Sequence, residues 1–136
     1  MILLDTSYIV AFFAKVDKDH EKALEISEKI NNEKLIITDA ILIESINLLT
    51  KRLNRNTKRI FNIYKFLKHN IKIIYTNEEL IERALQTVIK YKAKIGLADA
   101  INIEVMKDLN IYQIVSFDPD FSNKEGIVRI YWKKGL

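Results

Sequence analysis

Five short apolar runs, at residues 2–5, 35–37, 72–75, 112–117 and 127–132, are separated by stretches in which apolar residues recur every three or four positions. Runs of that length flanked by helical periodicity read as buried strands, and the intervening stretches read as amphipathic helices. Strands that alternate with helices or helix pairs imply an α/β domain with a central, mainly parallel sheet covered on both faces.

The helix boundaries follow from capping chemistry. Thr6 or Ser7 is placed to cap a first helix running to about Lys15. Asp17, Asp19 and Glu21 stand near the start of a second, where negative charge is favoured, and its face carries Ala23, Leu24, Ile26 or Ser27, and Ile30. Thr38 or Asp39 opens a long third helix carrying Ile41, Ile46, Leu48, Leu49 and Leu53, which Asn54-Arg55-Asn56-Thr57 breaks. Ile60, Phe61, Ile63, Tyr64, Phe66 and Leu67 predict a fourth. Thr76 or Asn77 caps a fifth with Leu80, Ile81, Ala84, Leu85, Val88 and Ile89, and Gly96 separates it from a sixth at 97–109.

The 136 residues suit one domain spanning 1–136 with a single continuous core. Three glycines and one proline exclude a disordered or fibrous chain, and a formal net charge of +4 permits a polyanionic partner without demanding one. With no cysteine, disulfides, thiolate catalysis and cysteine zinc sites are all excluded. The apolar stretch 8–14 is too short to span a bilayer and follows no basic leader, so the expected location is the cytoplasm, with no membrane partner.

Four acids stand in apolar surroundings. Asp5 and Asp118 each follow an apolar run, at the carboxyl ends of predicted strands, whereas Glu44 and Asp99 interrupt helical segments whose neighbours at three and four residues are mostly apolar. Each has a purely structural explanation. Asp5 suits a helix N-cap, Asp118 an Asx-turn before Pro119, Asp99 the dipole of a helix start, and Glu44 a buried ion pair. Jointly they weigh differently. Four carboxylates converging within about 5 Å at an effective dielectric near 20 repel by roughly 3 kcal/mol a pair, or about 20 kcal/mol in all. A small domain cannot carry that load. Either some are protonated or a divalent cation sits among them, and oxygen ligands alone suit Mg²⁺ or Mn²⁺ better than zinc. Such a site performs phosphoryl chemistry by activating water and neutralising phosphate charge.

At these residues the chain resembles the PIN-domain ribonucleases, and among them the VapC-type toxins of toxin–antitoxin pairs. The likeness covers nearly the whole chain: a hydrophobic strand ending in Asp5-Thr6-Ser7, Asp19-His20 with Ala23, Glu44 in the third helix, Leu97-Ala98-Asp99-Ala100, and Ser116-Phe117-Asp118-Pro119-Asp120-Phe121. The resemblance implies a three-layer α/β/α sandwich, a homodimer, an antitoxin protein as partner and metal-dependent endonucleolytic cleavage of RNA. It also implies that Asp5, Glu44, Asp99 and Asp118 form the catalytic and metal-binding set, that Thr6 and Ser116 support them, and that Asp120 stands in an outer shell.

Lys51, Arg52, Arg55, Lys58 and Arg59 cluster where the third helix hands over to the fourth, placed either to grip RNA phosphates or simply as a solvated hairpin end. His20 and His69 read as helix-surface or capping residues, Tyr8, Phe12 and Phe13 as core or dimer contacts, and Trp132 as packing at a strand end. Rival readings are an RNA-processing nuclease without an antitoxin and a non-catalytic RNA-binding or scaffold domain. A haloacid-dehalogenase-like phosphatase is disfavoured because Asp5-Thr6-Ser7 lacks a second acid two residues on.

Overall fold

The structure, a computed structural model, describes residues 1–121 and 125–131. Its elements run β1 (Ile2–Leu4), α1 (Thr6–Phe13), α2 (His20–Lys29), β2 (Leu35–Thr38), α3 (Asp39–Arg52), α4 (Thr57–Asn70), β3 (Lys72–Ile74), α5 (Glu78–Lys90), α6 (Leu97–Asp108), β4 (Gln113–Val115) and β5 (Val128–Ile130), with a 3-10 turn at Pro119–Phe121. The strands form one sheet in the order β3-β2-β1-β4-β5, every pair parallel. The expected α/β sandwich with a central parallel sheet is thus the observed fold.

β1 holds the middle. Its three residues are all buried, as a strand covered by helices on both faces must be. The chain builds outward from β1 to β2 and β3, then returns through α5 and α6 to lay β4 on the other side of β1. That reversal creates a switch point beyond the carboxyl ends of β1 and β4, where an open α/β sheet leaves a crevice. Leu4 and Val115 are register partners there, so Asp5 and Ser116 emerge side by side.

The caps mostly follow the sequence reading. Thr38 accepts from the Ile41 amide, Asn56 from that of Arg59 and Asn77 from that of Leu80, each satisfying an N–H that has no partner inside its helix. Asp39 turns away to bind the backbone and hydroxyl of Thr76, tying the start of α3 to the loop after β3. α1 differs. It begins at Thr6, with Asp5 in the N-cap position making no side-chain cap, and it stops at Phe13 because Ala14 is extended.

Periodicity overstated burial in three helices. Leu48, Phe61 and Phe66 are exposed, as are Ile81, Leu85 and Ile89, which form a stripe along α5 beside the buried Leu80 and Ala84. Tyr8 is core, and burial pushes its hydroxyl up to about 12. Phe12 tilts against it, and Phe13 and Phe66 continue edge to face around a largely apolar cavity of about 160 Å³ with no charged residue among the described residues of its lining. Trp132 lies outside the described residues.

Candidate active site

A cleft of about 420 Å³ opens at the switch point, and Asp5, Glu44, Asp99 and Asp118 all line it. β1 delivers Asp5, the loop after β4 delivers Asp118, the second turn of α3 delivers Glu44 and the first turn of α6 delivers Asp99. Four segments distant in sequence therefore turn an acid toward one space. Thr38 and Asn102 hold two of them in place. The buried Thr38 hydroxyl donates to Asn102 Oδ1 at 2.7 Å while accepting from the Ile41 amide, so the start of α3 is pinned to α6 one turn beyond Asp99.

Asp5 is the buried member, 6% exposed. Its Oδ2 accepts from the hydroxyls of Ser116 at 2.7 Å and Ser7 at 3.2 Å. Ser116 also accepts from the Asp118 amide at 3.0 Å, and Ser7 from the Phe117 amide at 3.0 Å. One hydroxyl pair thus clamps the first acid to the loop that carries the last. Burial raises the Asp5 pKa and the charge of Asp118 adds to that rise, against the opposing hydrogen bonds from Ser116, the Thr6 backbone and Ser7. The Glu44 pKa is raised too, first by desolvation and then by Asp5.

Several expectations change here. Glu44 sits at the exposed rim and not on an apolar face, because Leu48, one turn on, is itself exposed. No ion-pair partner for Glu44 stands among the described residues, so it is not half of a buried pair. Asp5 is not a helix cap. Thr6 lines the cleft but its buried hydroxyl has no hydrogen-bond partner, and Ser7 makes the bonds expected of it. The Asp120 side chain lies outside the described residues. Of the basic cluster, Arg52 alone reaches the cleft lining.

Asp17, Lys18 and Asp19 join that lining from the loop between α1 and α2. Asp17 Oδ1 accepts from the Asp19 amide at 2.8 Å, and its Oδ2 accepts from Arg52 at 2.9 Å. The available signal is a short polar segment between two helices, whose Asp17 and Asp19 suit a helix start and whose Asp19 also belongs to the family likeness. His20 is excluded from the cleft by its bond to α1, where Nδ1–H donates to the Ala11 carbonyl at 2.7 Å.

The acids share the cleft without forming a closed cage: among the described residues no three His, Asp or Glu side chains form a group that could hold a metal ion by themselves. An all-carboxylate set of this kind suits a hard divalent cation held through one or two carboxylates with water completing its shell. The raised pKa values of Asp5 and Glu44 are those of acids that would gain from a nearby cation.

Ser116→Ala tests the clamp. It strips the strongest hydrogen bond from Asp5 and leaves the Asp118 amide without its acceptor, so stability should fall by about 1–2 kcal/mol in denaturant unfolding. The Asp5 pKa should rise further, moving the acid limb of the pH–rate profile upward. An unmoved limb would remove Asp5 from the rate-determining ionisation.

Solved structures share this architecture. The chain is similar to VapC20 of Mycobacterium tuberculosis, a sarcin–ricin loop cleaving toxin, with 21% identity and a TM-score of 0.83 over 96% of this chain and 99% of that one. It is also similar to VapBC2 from Rickettsia felis, solved bound to a DNA fragment from its promoter, with 14% identity and a TM-score of 0.72 over 98% of this chain and 100% of the other. A toxin–antitoxin complex from Klebsiella pneumoniae follows at 19% identity and a TM-score of 0.66, covering 94% and 96%. Among curated proteins none matches in sequence. The PIN domain family model matches residues 2–127, which takes in every element from β1 to the residue before β5, with Asp5 and Asp118 inside it, and this makes the chain a member of the PIN-domain family.

Proposed function

We propose that the chain is a Mg²⁺- or Mn²⁺-dependent RNA endonuclease that hydrolyses phosphodiester bonds at Asp5, Glu44, Asp99 and Asp118, and that it acts in the cytoplasm as the toxin of a toxin–antitoxin pair. The observation that carries the reading is the gathering of four acids from β1, α3, α6 and the loop after β4 at the switch point of the sheet. The structural likeness to toxins supports the pairing, and the likeness to a toxin that cleaves an RNA loop supports the substrate class. Among the described residues no helix is long and apolar enough to cross a membrane. The exposed stripe of Ile81, Leu85 and Ile89 supports a homodimer as the assembly.

The roles divide by environment. Ser116 and Ser7 fix the orientation of the Asp5 carboxylate, so it need not reorganise as charge develops on the phosphate. Glu44 at the rim and Asp99 in the first turn of α6 line the same cleft, and Asp118 is set by its own amide bond to Ser116. A divalent cation bound among these acids would supply activation of water and neutralisation of phosphate charge.

Purified protein is expected to cleave structured RNA with Mg²⁺ or Mn²⁺, to stop under excess chelator and to restart when metal is restored. Cleavage that survives thorough chelation overturns the proposal. Growth arrest on expression of the chain alone, relieved by the product of an adjacent small gene, would be the expected sign of a toxin. Normal growth despite active nuclease would favour an RNA-processing role.

A further inference from the structure

Among the described residues the cleft lining holds six carboxylates, Asp5, Asp17, Asp19, Glu44, Asp99 and Asp118, against two cations, Lys18 and Arg52. Even with a divalent cation among them, this wall repels a polyanion away from the point of cutting. A strand laid across it needs positive charge close by. One neighbouring cavity provides that. About 370 Å³ in volume, it is lined by Lys15, Val16, Arg52, Leu53, Asn54, Asn56 and Arg59, with no acid among them. Arg52 belongs to both linings, so the two cavities adjoin at its side chain.

The adjoining cavity is built for an anion by more than its charge. The start of α4, a helix of 14 residues, stands in its wall with Asn56 as cap. Asn54 and Asn56 add side-chain amides to the same lining, the Asn56 oxygen already accepting from the Arg59 amide. Lys15 and Arg59 have no carboxylate partner among the described residues. Arg52 is held differently: Asp17 fixes its guanidinium at 2.9 Å, and the arginine side chain stays 46% exposed. A guanidinium has five N–H donors in a planar fork, so one bond to Asp17 leaves others for a phosphate.

We propose that the Lys15–Arg52–Arg59 cavity seats a phosphodiester of the RNA next to the one being cut, with Arg52, oriented by Asp17, as the positioning residue at the boundary between the two compartments. The proposal rests on the nuclease reading and adds to it where the substrate strand leaves the acid cleft. The chemistry recognised is the backbone phosphate, so the grip is indifferent to base identity.

The test separates binding from cutting. Affinity for a fluorescently labelled single-stranded oligoribonucleotide is measured across a salt series by anisotropy in a Glu44→Gln background, which keeps the RNA intact, and cleavage kinetics are measured in the parent background. Lys15→Ala with Arg59→Ala is expected to weaken binding about tenfold and to lower the slope of log affinity against log salt by about 0.7, the loss of one single-strand phosphate contact. In cleavage it should raise KM and leave kcat near the parent value. Arg52→Ala should raise KM and also lower kcat, with Arg52→Lys restoring the salt slope but not kcat, since a point charge replaces the fork. Lys34→Ala with Lys72→Ala is the control. Both lie at the amino ends of strands, the opposite end of the sheet from the cleft, and should change neither slope nor KM. An equal loss in the control pair, or an unchanged salt slope in Lys15→Ala/Arg59→Ala, overturns the proposal. Should the parent protein with Mg²⁺ or Mn²⁺ leave RNA uncut, the nuclease reading fails instead, and the binding data still decide the cavity.

Discussion

Asp5→Asn is expected to abolish RNA cleavage and, in metal-free buffer, to melt no lower than the parent. The two outcomes follow from one fact, that Asp5 is a buried carboxylate with no cationic partner among the described residues. Desolvation raises its pKa and Asp118 adds to the rise, while Asp5 in turn raises Glu44. The folded chain therefore binds more protons than the unfolded one from about pH 4 up to the raised values. Stability falls as pH climbs through that window and the cost stands in full above it. An amide at position 5 still accepts from Ser116 and Ser7 but carries no charge, so it escapes that cost. The melting temperature should be unchanged or rise by up to about 4 °C, equivalent to about 1 kcal/mol at this chain length. Activity should fall by about 10²–10³-fold or more, the scale seen when one preorganised electrostatic group is lost. Glu44→Gln and Asp99→Asn should lose activity alike, with smaller thermal effects because both are less buried. Calorimetry of parent and variant between pH 4 and neutrality reads the same physics a second way, since the parent should lose stability as pH rises and Asp5→Asn should be flatter. Variants that melt well below the parent would make the acids structural and favour a scaffold.

How much of this was visible beforehand depends on the range of the interaction. Strand and helix alternation is a short-range signal carried by Ile2-Leu3-Leu4, Ile36-Ile37 and Ile114-Val115, and it predicted the α/β architecture. Caps such as Thr38, Asn56 and Asn77 are also local, acting within three residues of the amide they satisfy. Burial is not local. Leu48 and Glu44 share helical spacing with Ile41, yet only Ile41 is covered, because α3 turns one side to the core and the other to the cleft rim. The exchange of roles between Thr6 and Ser7 has the same origin: which hydroxyl meets Asp5 depends on where Ser116 arrives, 111 residues away in sequence from its carboxylate partner. Asp17 escaped notice as a site residue because its partner, Arg52, lies 35 positions on, beyond any periodicity. The approximate composition of the cleft was legible. Its second wall was not.

The cleaved RNA is expected to carry a 5′-phosphate on the downstream fragment and a 3′-hydroxyl on the upstream one. Two routes compete. Water attacking phosphorus in line expels the 3′ oxygen and leaves those ends, whereas attack by the neighbouring 2′-hydroxyl leaves a cyclic phosphate upstream. The second route calls for a paired general base and acid, a task for which two histidines are the usual choice. This chain has two, and neither is placed for it. His20 opens α2 with Nδ1 committed to the Ala11 carbonyl, and His69 is exposed in the last turn of α4. Neither lines the cleft, whose titratable groups are six carboxylates, Lys18 and Arg52. Asp5 and Glu44, the acids with raised pKa, sit where a divalent cation is proposed, so they are poorly placed to serve as a free acid and base pair. The ends are read by whether the downstream fragment ligates directly, without prior kinase treatment, and whether the upstream fragment extends without phosphatase. His20→Gln and His69→Gln should leave both the products and the rate near the parent's. Cyclic phosphate ends from protein free of contaminating nuclease, or loss of cleavage with either histidine, would remove Asp5, Glu44, Asp99 and Asp118 from the chemistry and place the reacting groups elsewhere on the chain.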